Sequence, residues 1–134
     1  MKYICLGYLE PGTFENMSER QRNTVFDECF SYNDELRKNG HLDDEHALQP
    51  ANTAVTISWK SGKVVVTDGP YAETKEQLGG IQVLEARDLN QAIQLISQCP
   101  GLRLGCGVIE IRPTANLNEI METSQQRRRN DIPR

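Results

Sequence analysis

Hydrophobic and polar positions change their spacing several times along the 134-residue chain, and each change marks an element. Lys2 to Tyr8 alternates and is rich in β-formers, which predicts a first strand closed by the Pro11-Gly12 turn. The spacing then becomes helical. Behind a Ser18/Gln21 capping box, Val25, Cys29, Tyr32 and Leu36 form a core stripe that ends at Gly40. Asp34 and Lys38 are spaced for a favourable i, i+4 pair on the outer face. His41 to Leu48 reads as a weak second strand leading into Gln49-Pro50. From Thr53 to Trp59 every second residue is Thr53, Val55, Ile57 or Trp59, and Ser61-Gly62 separates this run from a return strand, Val64 to Thr67. That is the pattern of a tight hairpin, with the lone Trp59 packing within it.

Ile81 to Ala86 is the next strand, followed by a helix that Asp88 caps and that buries Leu89, Ala92, Ile93 and Ile96 before Pro100-Gly101 stops it. The last strand, Cys106 to Arg112, puts Cys106, Val108, Glu110 and Arg112 on one face and Gly107, Ile109 and Ile111 on the other. Leu117, Ile120 and Met121 then suggest a short terminal helix, with Arg127-Arg128-Arg129 in a solvated polar tail. This order predicts an α+β fold: a split β-α-β arrangement with an antiparallel sheet, an added hairpin and both helices on one face. The uncovered face would carry Glu110 and Arg112 together with Gln82 and Leu84. Such a face is covered or stays wet, and dimerisation through it would enclose a cavity with polar groups inside, suited to a small molecule.

Composition narrows the function classes. The length is that of one domain, and a net charge of -4 argues against a general nucleic-acid binder. Cys5, Cys29, Cys99 and Cys106 show no C-x-x-C pairing, so they read as buried free thiols rather than a zinc site or a disulfide framework, with Cys29 a core thiol. The first residues lack the apolar core of a signal peptide, and no stretch has the length of a membrane span. The expected compartment is a reducing cytoplasm.

The densest chemistry lies in Asp68 to Gly80. Asp68-Gly69-Pro70 is a turn, and the charged residues after it sit on irregular backbone, where binding and catalytic groups concentrate. Asp68, Glu73 and Glu76 are candidate general acids or bases, given burial that raises a carboxyl pKa. Lys75 is a candidate partner for an anionic substrate or a developing enolate, and Tyr71 for a hydrogen bond or a stacked ring. The same residues admit structural roles: Asp68 capping its turn, Glu73 pairing with Lys75, Tyr71 lying over the sheet edge. His46 is the better histidine candidate if a cavity opens beside Leu48-Gln49-Pro50; its spacing to Asp43, Asp44 and Glu45 is unspecific for a metal. Glu110 and Arg112 either hold a polar ligand or form a salt bridge. No metal or cofactor is expected.

The segment Asp-Gly-Pro-Tyr-Ala-Glu-Thr-Lys-Glu-Gln-Leu-Gly-Gly resembles the signature of the DGPF branch of the YCII-related family. The likeness extends to Met1-Lys2-Tyr3, Leu48-Gln49-Pro50, Val64 to Thr67, Glu85 to Leu89 and Ile109 to Pro113, covering roughly residues 1–114 and leaving 115–134 outside. The resemblance implies a ferredoxin-like domain of the dimeric α/β-barrel type, a homodimer acting on a small polar or anionic molecule by cofactor-free, isomerase-like acid-base chemistry. Its alternative implication is a non-catalytic ligand-binding or regulatory module that partners a transcription factor. Shorter relatives are credited with a His-Asp dyad whose histidine lies on the first helix. Residues 18–40 contain no histidine, and Glu28, Cys29 and Phe30 stand nearest that place, so the dyad does not carry over.

Overall fold

The computed structural model describes residues 1–131; the last three residues of the expected polar tail, 132–134, lie outside the described residues. Strand β1 (Lys2–Leu9) pairs antiparallel with both β5 (Gln77–Glu85) and β6 (Val108–Pro113), and β2 (Leu42–Ala47) pairs with the free side of β5. The sheet order is therefore β2-β5-β1-β6, with β1 and β5 central. Register decides which residues share a face: Tyr3 lies opposite Leu84, and Cys5 opposite both Gln82 and Ile111. Against that face pack α1 (Glu19–Lys38) and α2 (Leu89–Ser97). Tyr3, Cys5, Leu84, Ala86, Ala92, Ile96 and Cys99 form one buried cluster, with Tyr32, Ile109 and Ile111 packed against it. This is the ferredoxin-like split β-α-β fold.

Local chemistry sets the helix limits. Ser18 accepts from the Gln21 N–H while the Gln21 side chain accepts from the Ser18 N–H, satisfying two donors at the start of α1. Asp88 caps α2 by accepting from the Gln91 N–H. Two expectations need correction. Asp34 pairs with Arg37, one residue nearer than Lys38, at 2.9 Å. In α2, Leu89 and Ile93 are exposed, while Ala92, Ile96 and half-buried Leu95 face inward. The Tyr32 hydroxyl donates to the Leu95 carbonyl and turns that side of the short helix toward α1. Pro100 also begins a further turn, α3 (Pro100–Arg103), at a position where its missing N–H costs nothing.

The sheet differs from expectation in ways that bear on the site. Strand β5 begins at Gln77, so Gly79 and Gly80 lie within the strand rather than the loop, Gly80 opposite Gly7 and Gly79 at the bulge where the register with β1 shifts. Gln82 and Leu84 face the helices, because they lie opposite Cys5 and Tyr3. The open face instead carries Ile4, Leu6, Tyr8, Ile81 and Val83, with Val108, Glu110 and Arg112 on β6. Cys106 does not share it: Gly107 adopts φ +150°, and a Cβ there would stand 2.2 Å from the Tyr8 carbonyl oxygen. Only glycine fits, the alternation breaks, and Cys106 is buried.

The hairpin, β3 (Val55–Lys60) and β4 (Lys63–Asp68), is a separate two-stranded sheet reached through a 3₁₀ turn at Ala51–Thr53. Trp59 does not pack there, being 69% exposed. Helix α4 (Leu117–Asn130) continues through Arg127, Arg128 and Arg129, where a tail is expected, and Asn116 caps it by accepting from the Glu119 N–H. Among the described residues no helix is long and apolar enough to cross a membrane.

Candidate ligand site

Edge strand β2 presents a paired histidine and carboxylate. A bulge lies between Leu42 and Asp44 in its pairing with β5. Beyond it, the Glu45 carboxylate turns to α1, accepting from Asn33 Nδ2 at 2.9 Å and Arg37 Nη2 at 2.6 Å. Alternation then directs His46 to the open face, where it lies opposite Ile81. His46 Nε2 is 3.0 Å from Asp44 Oδ2, and Asp44 also accepts from the Glu45 N–H. The His46 hydrogen bond, with that N–H second, holds the Asp44 carboxyl below its ordinary value. With Nε2 donating to Asp44, the imidazole lone pair resides on Nδ1, the arrangement of an oriented general base.

A cavity of about 770 Å³ lies one strand repeat away, roughly 7 Å along the chain from His46 to Leu48. Tyr8 and Leu78, opposite one another in the β1–β5 ladder, line it at the end of the open face. Leu48, Gln49 and Pro50 form one wall, and Pro70, Tyr71, Ala72 and Thr74 the other. Leu48 is held by its N–H, which donates to the Gly79 carbonyl at 2.8 Å. Leu9 packs over Gly79: a Cβ there would meet Leu9 Cδ2 at 2.2 Å, so any larger residue would turn the leucine side chain aside. The lining offers tyrosine hydroxyls, the amides of Gln49 and Gln77 and the hydroxyls of Thr53 and Thr74, among apolar side chains and no charged ones. The volume suits a small organic molecule.

Of the residues singled out from sequence, Tyr71 lines this cavity, and it is 92% exposed. Asp68, Glu73, Lys75 and Glu76 do not line it. Asp68 ends β4 exposed, Glu73 is exposed, and Lys75 pairs with Glu10 at 3.2 Å rather than with Glu73. Half-buried Glu76 lines a different groove with Glu10 and Cys106. Glu110 and Arg112 pair with each other along β6 at 3.4 Å, on the open face. Asp44, Tyr8, Gln49 and Gln77 are additions; the two-residue spacing of Asp44 and His46 on a strand is the signal that marks the first of them.

A second cleft, of about 400 Å³, separates α1 from the sheet. Phe30, one of the three α1 residues nearest the place where the resemblance puts a histidine, lines it with Cys5, Gly7, Glu45, His46 and Gln82. Its thiol, Cys5, is pushed up to about 11 by burial, as is Cys99, so neither is a nucleophile at neutral pH. Among the described residues, no group of three or more His, Cys, Asp or Glu side chains is placed to hold a metal ion.

The model of the YCII-related domain matches residues 1–118. The chain belongs to the YCII-related family. A YCII-related chain of this length also matches, at 28% identity over 115 residues, an uncharacterised protein of Rhizobium meliloti (strain 1021), covering 86% of this chain and 93% of that one. Among solved structures, the YCII-related fold is similar to 5-chloro-2-hydroxyhydroquinone dehydrochlorinase of Burkholderia phenoliruptrix AC1100, in complex with 2,5-dihydroxybenzoquinone. The TM-score is 0.53 at 12% identity, covering 86% of this chain and 94% of that one. At that identity the likeness shows the fold alone.

Proposed function

We propose that this YCII-related protein binds a small, flat, hydroxylated molecule in the cavity beside Leu48-Gln49-Pro50 and that His46, oriented by Asp44, moves a proton on it without a cofactor. The observation that carries this reading is the juxtaposition of that 770 Å³ cavity with an oriented imidazole on the same sheet face. The lining donates and accepts hydrogen bonds but presents no charge, which favours an uncharged ligand over the anionic one expected from the Lys75 loop. The dehydrochlorinase of similar fold, solved with a dihydroxybenzoquinone, supports a hydroxylated ring as the ligand class. The open face, apolar at Ile4, Leu6, Ile81 and Val83, is the surface through which a second copy would cover His46 and exclude water.

Hydroxyhydroquinone is a suitable probe, because enol–keto exchange of its ring exchanges a carbon-bound hydrogen with solvent. In D₂O the protein is expected to accelerate deuterium uptake at the ring carbons, followed by NMR. Leu48→Trp, at an exposed wall position, is expected to weaken binding at least tenfold while the chain stays folded. Unchanged binding by that variant would place the ligand elsewhere; binding without deuterium uptake would support the non-catalytic, regulatory reading.

A further inference from the structure

The β3–β4 hairpin exposes its apolar face. Cross-strand register puts Ile57 opposite Val66 and Trp59 opposite Val64, and these four residues share one side with Val55. All five are more than half exposed, from 57% for Val55 to 69% for Ile57 and Trp59. The hairpin's ladder belongs to no larger sheet and closes on itself at its base, where Gly69 N–H donates to the Ala54 carbonyl. Two-stranded ribbons are marginal alone in water. Five adjacent apolar side chains of this size present on the order of 500 Å², about the largest patch a soluble monomer leaves uncovered.

We infer that the hairpin is an arm that grips a second copy of this chain. Two observations select that occupant. The first is charge: the hairpin carries Lys60 and Lys63 at its tip and a single acidic residue, Asp68, at its base, whereas edge strand β2 carries Asp43, Asp44 and Glu45, of which Lys2 offsets Asp43 and Arg37 offsets Glu45 while Asp44 has only His46 beside it. A tip wrapping the rim of a facing copy would bring its lysines to that acidic edge. The second is area. A stable interface buries about 800 Å² per partner, more than a small four-stranded face of about 20 by 20 Å offers alone, and an arm of this size supplies the difference. The arrangement is isologous, each arm serving the other copy. It rests on the reading that a second copy covers the open sheet face and adds the element that fastens it.

Trp59, the chain's single tryptophan, reports directly on this contact. Sedimentation and tryptophan emission are measured over the same dilution series of the full chain. The expected result is a dimer in which Trp59 emits at short wavelength and resists acrylamide quenching, both lost as dilution yields monomer. Ile57→Glu is expected to raise the dimer dissociation constant at least tenfold, and added salt to weaken association. Because Ile57 is 69% exposed and the hairpin's ladder belongs to no larger sheet, the variant's helical circular dichroism should match the parent. A dimer with solvent-like Trp59 emission, or with Ile57→Glu association unchanged, overturns the arm while leaving the sheet-face contact standing. A monomer throughout overturns both.

Discussion

Replacing His46 by glutamine is expected to lower deuterium exchange of bound hydroxyhydroquinone by about 10²–10⁴-fold, the usual contribution of a positioned general base. Binding should change little, since the imidazole lies on the open face beside the cavity rather than in its wall. The fold should hold as well: His46 is exposed, and exposed substitutions usually stay within about 0.5 kcal/mol. Asp44→Asn is expected to cost less, about tenfold, because the carboxylate orients the ring and does not take the proton. The Asp44 carboxyl supplies a second readout. Its folded pKa is depressed, chiefly by His46, so the pair's contribution to stability is present above the ordinary carboxylate range and lost as pH falls through the lowered value. In His46→Gln the Asp44 carboxyl should titrate at higher pH than in the parent, visible by carbon NMR of the side chain. Exchange that survives His46→Gln would remove the histidine from the chemistry.

The largest structural effect is expected at Leu84. It is fully buried at 0% exposure, on a central strand, opposite Tyr3 and within the cluster that joins both helices to the sheet. Leu84→Ala removes apolar contacts and leaves a cavity that strands paired on both sides cannot close, a loss of about 3 kcal/mol. For a chain of this size that corresponds to a melting temperature lower by roughly 10 °C, measured by calorimetry. The same change at exposed Leu89, read from sequence as core, should move it by no more than about 2 °C.

Those two leucines show what periodicity conveys. Strand order, both long helices and their caps are legible because capping chemistry and the three-to-four spacing are local properties of the chain. Which apolar residues of a nine-residue helix face inward is not local. Ile93 and Leu95 fit equally well on a helical wheel centred on Ala92 and Ile96, and it is tertiary packing that half-buries Leu95 and leaves Ile93 exposed. Register has the same character: Gln82 and Leu84 change faces according to which residue of β1 they meet, and nothing within Ile81 to Ala86 states that partner.

The site divides along the same line. The Asp68 to Gly80 segment stands out by its density of charged side chains, yet it contributes Pro70, Tyr71, Ala72 and Thr74 to the cavity and sends Lys75 to Glu10. Charge identifies a segment, whereas the backbone turn decides which atoms point inward. His46 was conditional on a cavity at Leu48-Gln49-Pro50, and one lies there. Asp44 was readable from a spacing of two on a strand, but the weak β pattern of Leu42 to Ala47, with three acids in six residues, hides the strand itself.

The central claim is that ligand in the cavity meets His46. The chain has two histidines, and the other, His41, is engaged through Nδ1 with the Glu85 carbonyl at 2.9 Å, at the far end of β5. Nitrogen-15 spectra of both imidazoles during titration with hydroxyhydroquinone therefore contain their own control. The account predicts that the His46 signals shift in proportion to bound ligand while those of His41 stay fixed; saturation of the protein with His46 unmoved, or with His41 moving in its place, would contradict it.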